Sequence, residues 1–96
     1  MSVFTFDVAV KSTPQNRVEV TITSGTLAKG FTYYFIATAN DGTDTYYGET
    51  HKMDLTAEAA DIDLSTANEA LPIIPLDPDF AGSITADNVS VYISYK

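Results

Sequence analysis

Apolar and polar positions alternate through residues 3–11. Phe4, Phe6, Val8 and Val10 fall on one face and Thr5, Asp7 and Ala9 on the other. That is the pattern of a half-buried strand. Residues 12–16 (STPQN) read as a turn, punctuated by Pro and Asn. Alternation resumes over 17–23, with Val18, Val20 and Ile22 inward, so the first two strands make a hairpin. A loop at 24–30 leads to the richest segment, 31–39. There Phe31, Tyr33, Phe35, Ala37 and Ala39 share one face, and Tyr34, Ile36 and Thr38 the other. Both faces are partly apolar, which predicts a central strand covered on both sides for part of its length. Asn40-Asp41-Gly42 is a strong hairpin signal, and 43–51 returns as the hairpin partner, carrying Tyr46 and Tyr47.

The second half is less regular. Residues 54–61 (DLTAEAAD) suit either a short helical turn capped by Asp54 or Thr56, or an edge strand of small residues. Residues 61–64 read as a short strand and 66–71 as one helical turn. The segment 72–80 (PIIPLDPDF) has prolines at 72, 75 and 78, which argue against a helix and against a central strand. It reads as an extended arm or crossover. Residues 83–86 start a strand, Asp87-Asn88 mark a bulge or turn, and 88–96 form a final strand with Val89, Val91, Ile93 and Tyr95 facing the core. No internal repeat of useful length is present. Thirteen threonines and six tyrosines suit β structure. The expected fold class is all-β: a small antiparallel β-sandwich of about six or seven strands with a Pro-rich extended arm.

Ninety-six residues make one small domain, 1–96. Hydrophobic content of 45% and charged content of 19% are those of a globular chain. The net charge of −8 is unevenly spread. Residues 1–52 hold five acidic and four basic side chains, whereas 53–95 hold eight acidic and none basic. Nucleic acid needs a basic footprint that this chain lacks, and an anionic membrane would repel it. The acidic half either keeps the protein soluble or meets a basic partner surface or a cation. The absence of cysteine leans toward an intracellular origin. No basic and apolar leader precedes the first strand, so no signal peptide is visible, and the expected location is a virion or the host cytoplasm.

Within 17–50, Val18-Glu19-Val20-Thr21-Ile22 is followed by Leu27, Gly30 and Tyr33 at spacings of three, and then by Phe35, Ala37, Ala39, Asn40 and Gly42. This resembles the "tyrosine corner" and following strand of immunoglobulin-like and fibronectin type III sandwiches. There a Tyr near the start of a strand bonds back to backbone just upstream. The resemblance implies an Ig-like sandwich, with Leu27, Gly30 and Tyr33 as its structural corner. The chain departs from fibronectin type III in having two strands before the corner, a long continuation after the hairpin, and no tryptophan. The topology is then rearranged or the corner convergent. In type and composition the chain also looks like accessory virion proteins of tailed phages, whose decoration and tail proteins are often Ig-like.

Candidate chemistry is sparse. His51 is the one histidine, with Glu49 on the same side of a regular strand. It is expected to be a surface residue without a catalytic role, because nothing places a nucleophile on a strained turn beside it. Asn40-Asp41-Gly42-Thr43-Asp44 lacks the further ligands of a calcium loop and reads as a hairpin turn. Asp61 with Asp63, and Asp77 with Asp79, are pairs able to share a hard cation if loops gather them. Alternating Asp on a wet face is the commoner cause, so no metal and no cofactor are expected. A carboxylate pair for glycoside cleavage needs a cleft that so small a sandwich seldom encloses. Tyr34, Tyr46, Tyr47 and Tyr92 lie off the main core face and offer rigid contact area for proteins or glycans, or else pair across strands. Ile73, Ile74, Leu76 and Phe80 are too apolar for a free loop. They cover an open end of the sandwich or reach a neighbouring subunit. The expected function is a non-catalytic structural or assembly protein, a virion decoration or tail subunit that self-associates or docks on a capsid or tail lattice. The alternative is a glycan- or protein-binding β-sandwich module.

Overall fold

The computed structural model describes residues 4–12, 16–76 and 84–96. In chain order its strands are β1 (Thr5–Lys11), β2 (Arg17–Ser24), β3 (Thr26–Leu27), β4 (Thr32–Asn40), β5 (Thr45–Tyr47), β6 (His51–Asp54), β7 (Ile62–Asp63), β8 (Glu69–Ala70), β9 (Ile74–Pro75) and β10 (Val89–Tyr95). A single 3-10 turn, Ala86–Asn88, precedes β10, and no α-helix occurs among the described residues. All pairings are antiparallel. The all-β antiparallel expectation therefore holds. Ten strands appear among the described residues where about six or seven were expected, because two edge strands are each broken in two and β3 and β7 add a short separate pair.

One sheet runs β1-β2, with β8 and β9 end to end along the other side of β2. The second runs β10-β4, with β5 and β6 end to end along β4. Alternation explains the layers. Val18, Val20 and Ile22 of β2 and Phe35, Ala37 and Ala39 of β4 are buried between the sheets. A third, two-stranded sheet joins β3 to β7, pairing Leu27 with Ile62. It ties the corner loop to the second half of the chain. The far side of β4 is half-open: Tyr34 and Ile36 are half-buried and Thr38 is buried.

The segment 54–71 forms neither the helical turn nor the small-residue edge strand expected of 54–61, nor the helical turn expected of 66–71. Two copies of one local pattern replace them. Asp54-Leu55-Thr56 and Asp63-Leu64-Ser65 each turn on an Asp side chain that accepts from the backbone N–H and the hydroxyl two residues on. Such Asx turns compete with a helix for the same backbone donors. In both, the Leu points inward and is fully buried. Bonds from the Thr66 and Ala67 N–H groups to the Asp63 carbonyl close the second turn, and β8 follows at once.

No free Pro-rich arm is present over 71–76. Leu71, Ile74 and Leu76 belong to the core cluster. Ile74 and Pro75 pair with Val18 and Arg17, on an edge where the missing proline N–H costs no ladder bond. Flanking bonds run from the Leu71 N–H to the Val20 carbonyl and from the Leu76 N–H to the Asn16 carbonyl. The apolar side chains that made the segment look like an arm are what draw it into the sandwich. Its continuation, with Phe80, Asp77 and Asp79, lies outside the described residues, as does Ser83. Ile84 is buried, neither it nor Thr85 is in a strand, and Ala86 opens the 3-10 turn where a strand start was expected.

Candidate functional site

At the corner the fold contains the bond to upstream backbone that the resemblance implies. Tyr33 is buried, and its hydroxyl accepts a hydrogen bond from the Ala28 backbone N–H at 2.8 Å. Leu27 is buried beneath the loop. Gly30 takes φ +86°, a conformation that a side chain would strain, and its N–H bonds the Leu55 carbonyl. The corner is a structural lock.

The acidic candidates are occupied by local bonding. Asp41 Oδ1 accepts from the Thr43 and Asp44 N–H groups, and Oδ2 from the Tyr46 hydroxyl. These bonds hold its pKa below the ordinary value of 3.8, the Asp44 and Thr43 amides acting most strongly. Asp63 is lowered by its bonds to the Ser65 hydroxyl and N–H, and Asp54 by those to Thr56, with Thr32 and Lys52 adding less. Asp61 accepts from the Lys29 N–H at 3.0 Å. Asp61 and Asp63 thus serve different turns. Among the described residues no three His, Cys, Asp or Glu side chains gather at metal-binding distance.

His51 is not beside Glu49. Between β5 and β6 the register on β4 steps by one residue, so residues 48–50 form a bulge, with the Gly48 N–H still bonded to the Ala37 carbonyl. Beyond the bulge His51 pairs with Phe35 and faces the interior. From the opposite sheet Glu69, paired with the buried Ile22, also faces inward. The two meet at 2.6 Å. A carboxylate only accepts, so His51 Nε2 is the donor. This contact links the two sheets along one edge. The alternation of 43–51 hid it, because a bulge reverses every side chain beyond it. Gly48 was the one signal.

The tyrosines separate. Tyr46 pairs with the buried Ala39 and turns inward to Asp41, so it is a hairpin strut and not part of an outer contact face. Tyr47 pairs with Thr38 on the opposite, outer face and is 64% exposed. Tyr34 and Ile36 share that face, and Tyr92, 59% exposed, lies directly opposite Ile36. The result is an open sheet face with Ile36 between Tyr92, Tyr34 and Tyr47, bordered by the hydroxyls of Ser90 and Ser94. Lys52 pairs with Tyr34 from one side. From the other, Lys96 Nζ lies 5.8 Å from the Tyr34 ring centre, within cation–π range. In a chain of net charge −8 this face carries two lysines, and the Asp54 carboxylate near Lys52 accepts from the Thr32 and Thr56 hydroxyls.

Of the apolar candidates, Ile73 is 50% exposed, while Ile74 and Leu76 are buried inside the chain's own core and present no surface. No known protein family matches this chain, and neither a curated protein nor a solved structure does.

Proposed function

We propose that this protein is a non-catalytic assembly subunit that docks through the outer face of the β10-β4-β5/β6 sheet. The observation that carries the reading is the cluster of Tyr34, Ile36, Tyr47 and Tyr92 on an open sheet face with two lysines at its border. Tyrosines give large contact area at low entropic cost and are enriched in interface cores. The polar groups of the turns are already engaged in holding the fold, which suits a scaffold. The setting we propose is that of an accessory virion protein, a capsid-decoration or tail subunit of Ig-like build. Support for that setting is the small, cysteine-free, acidic, Thr- and Tyr-rich composition. Support for the Ig-like relation is the Leu27-Gly30-Tyr33 corner.

The test is the solution mass of the chain across a concentration series, with binding to capsid and tail particles measured beside it. Tyr34→Ala/Tyr47→Ala/Tyr92→Ala is expected to keep its far-ultraviolet circular dichroism and lose docking. A protein that is strictly monomeric and binds no virion component overturns the proposal.

A second reading is a glycan-binding module. It is favoured by Lys96 over the Tyr34 ring beside Ser94, a shallow site of about 320 Å³ that combines a stacking surface with donors. A broad glycan screen that stays blank removes it.

A further inference from the structure

The two long edges of the sandwich are finished differently. On one, His51 and Glu69 join the sheets and β9 lies against β5. On the other, β1 and β10 are both edge strands, and no described strand pairs with the outer side of either. Their inward side chains are incompletely covered. Phe6, Val8, Val91 and Ile93 are half-buried, Val10 is 44% and Tyr95 65% exposed, while Val20 and Phe35 in the middle strands are 1% and 0% exposed. An open groove of about 590 Å³ sits at the end of this edge, walled by Phe4, Phe31, Tyr33, Ile93 and Tyr95.

Among the described residues nothing pairs with the outer edge of β10. Lys96 and Thr32 exchange both backbone hydrogen bonds, at 2.9 and 3.1 Å. The alternation of an antiparallel ladder then turns the N–H and C=O groups of Val89, Val91, Ile93 and Tyr95 away from β4, toward the open side. Natural edge strands are usually blunted by charge, proline or a bulge. Within Val89–Tyr95 (VSVYISY) there is no charged residue and no proline, and its register on β4 is unbroken.

We propose that β10 pairs antiparallel with β10 of a second copy of this chain, joining two sheets into one across a two-fold axis at Tyr92. The inference rests on the assembly reading above and names its partner and its edge. The sequence of β10 suits this register. Centring on Tyr92 uses every edge-directed group: Val91 faces Ile93 of the partner subunit, and Val89 faces Tyr95 of the partner subunit, each twice by symmetry. Those β-branched and aromatic side chains lie on the inner face and extend the apolar cover over the open groove. On the outer face Ser90 meets Ser94 of the partner subunit. Lys96 falls opposite Asn88 of the partner subunit and beside the partner's Asp87, so the ends of the paired strands are complementary in charge. An isologous contact of this kind closes on itself as a dimer.

The test uses the full chain, which has no native cysteine. Tyr92 would face its own copy as a non-hydrogen-bonded pair, where Cα atoms lie about 4.5 Å apart, within the range of a disulfide. Tyr92→Cys is expected to form a covalent dimer on mild oxidation. Ser94→Cys is not, because its own counterpart lies about 13 Å along the ladder at four residues' offset. By light scattering the unmodified chain is expected at twice its monomer mass. Ser90→Lys/Ser94→Lys, at two exposed sites, is expected to be monomeric because lysines then face lysines. Ser90→Glu/Ser94→Lys is expected to restore the dimer. An unmodified chain that stays monomeric at every concentration overturns the pairing. Docking of the tyrosine face on another protein is then judged by the triple alanine variant alone. A dimer in which the two cysteines cross-link equally, or neither does, overturns the β10 register and leaves self-association standing.

Discussion

The hydroxyl of Tyr33 accepts the backbone N–H of Ala28 at 2.8 Å, five residues upstream, and pins the corner loop to the start of β4. Tyr33→Phe keeps the ring packing against Phe35 and Tyr95 but removes the acceptor from a part-buried donor. The expected loss is about 1–2 kcal/mol. It is read as a lower urea midpoint with an unchanged m-value.

Leu55 and Leu64 fill equivalent places in the two Asx turns and are both fully buried. Leu55→Ala and Leu64→Ala are each expected to cost about 2–5 kcal/mol. Thr56→Ala and Ser65→Ala, which remove one hydroxyl donor each from an exposed turn, are expected to cost well under half of that. Thermal unfolding of the four variants side by side checks the ranking. Equal effects would mean that the turns, not the Leu plugs, hold this segment.

Asp41, Asp54 and Asp63 all have pKa values lowered by hydrogen bonds made in the folded chain. A folded value below the unfolded one contributes stability that is present above the unfolded value and lost as pH falls through the folded one. The urea midpoint is therefore expected to hold steady near neutrality. It should decline as pH drops through the ordinary carboxylate value of 3.8 and on below it. In Asp41→Asn/Asp54→Asn/Asp63→Asn the amide oxygens can still accept, and the charge no longer titrates. That variant is expected to show a shallower acid decline, and an unchanged one would assign the decline to other carboxylates.

His51 and Glu69 join the two sheets at 2.6 Å, with roughly a quarter of each side chain exposed. His51→Ala, Glu69→Ala and the double variant form a thermodynamic cycle. The coupling is expected near 1 kcal/mol, moderated by solvent at a partly exposed edge. Glu49→Ala is expected to leave stability unchanged, because Glu49 is exposed while the bulge turns His51 to the interior. A coupling of zero would reduce the contact to coincidence.

Strand identity was legible wherever apolar and polar residues alternate without interruption. β1, β2, β4 and β10 lie within a residue or two of where alternation puts them. The likeness of Leu27, Gly30 and Tyr33 to a tyrosine corner implied a bond to backbone just upstream, and the Tyr33 hydroxyl accepts from Ala28. The outer tyrosine face was half legible. Tyr34, Tyr47 and Tyr92 lie on it, but Tyr46 does not, because neighbouring residues on a strand point to opposite faces and Tyr46 took the inner one.

Between 43 and 76 local pattern and outcome diverge at several places. The bulge at 48–50, the burial of Ile74 and Leu76, and the meeting of His51 with Glu69 all depend on contacts between residues far apart in the chain. By itself the sequence determined which side chains share a face within each unbroken strand, since that follows from the two-residue period of an extended backbone. Only the tertiary structure decided which strands pair, where one slips by a residue, and which apolar segment closes the sandwich. Those choices are set by the apolar area that the two sheets bury jointly and by polar groups that must find partners at their edges, and neither is a property of any local stretch.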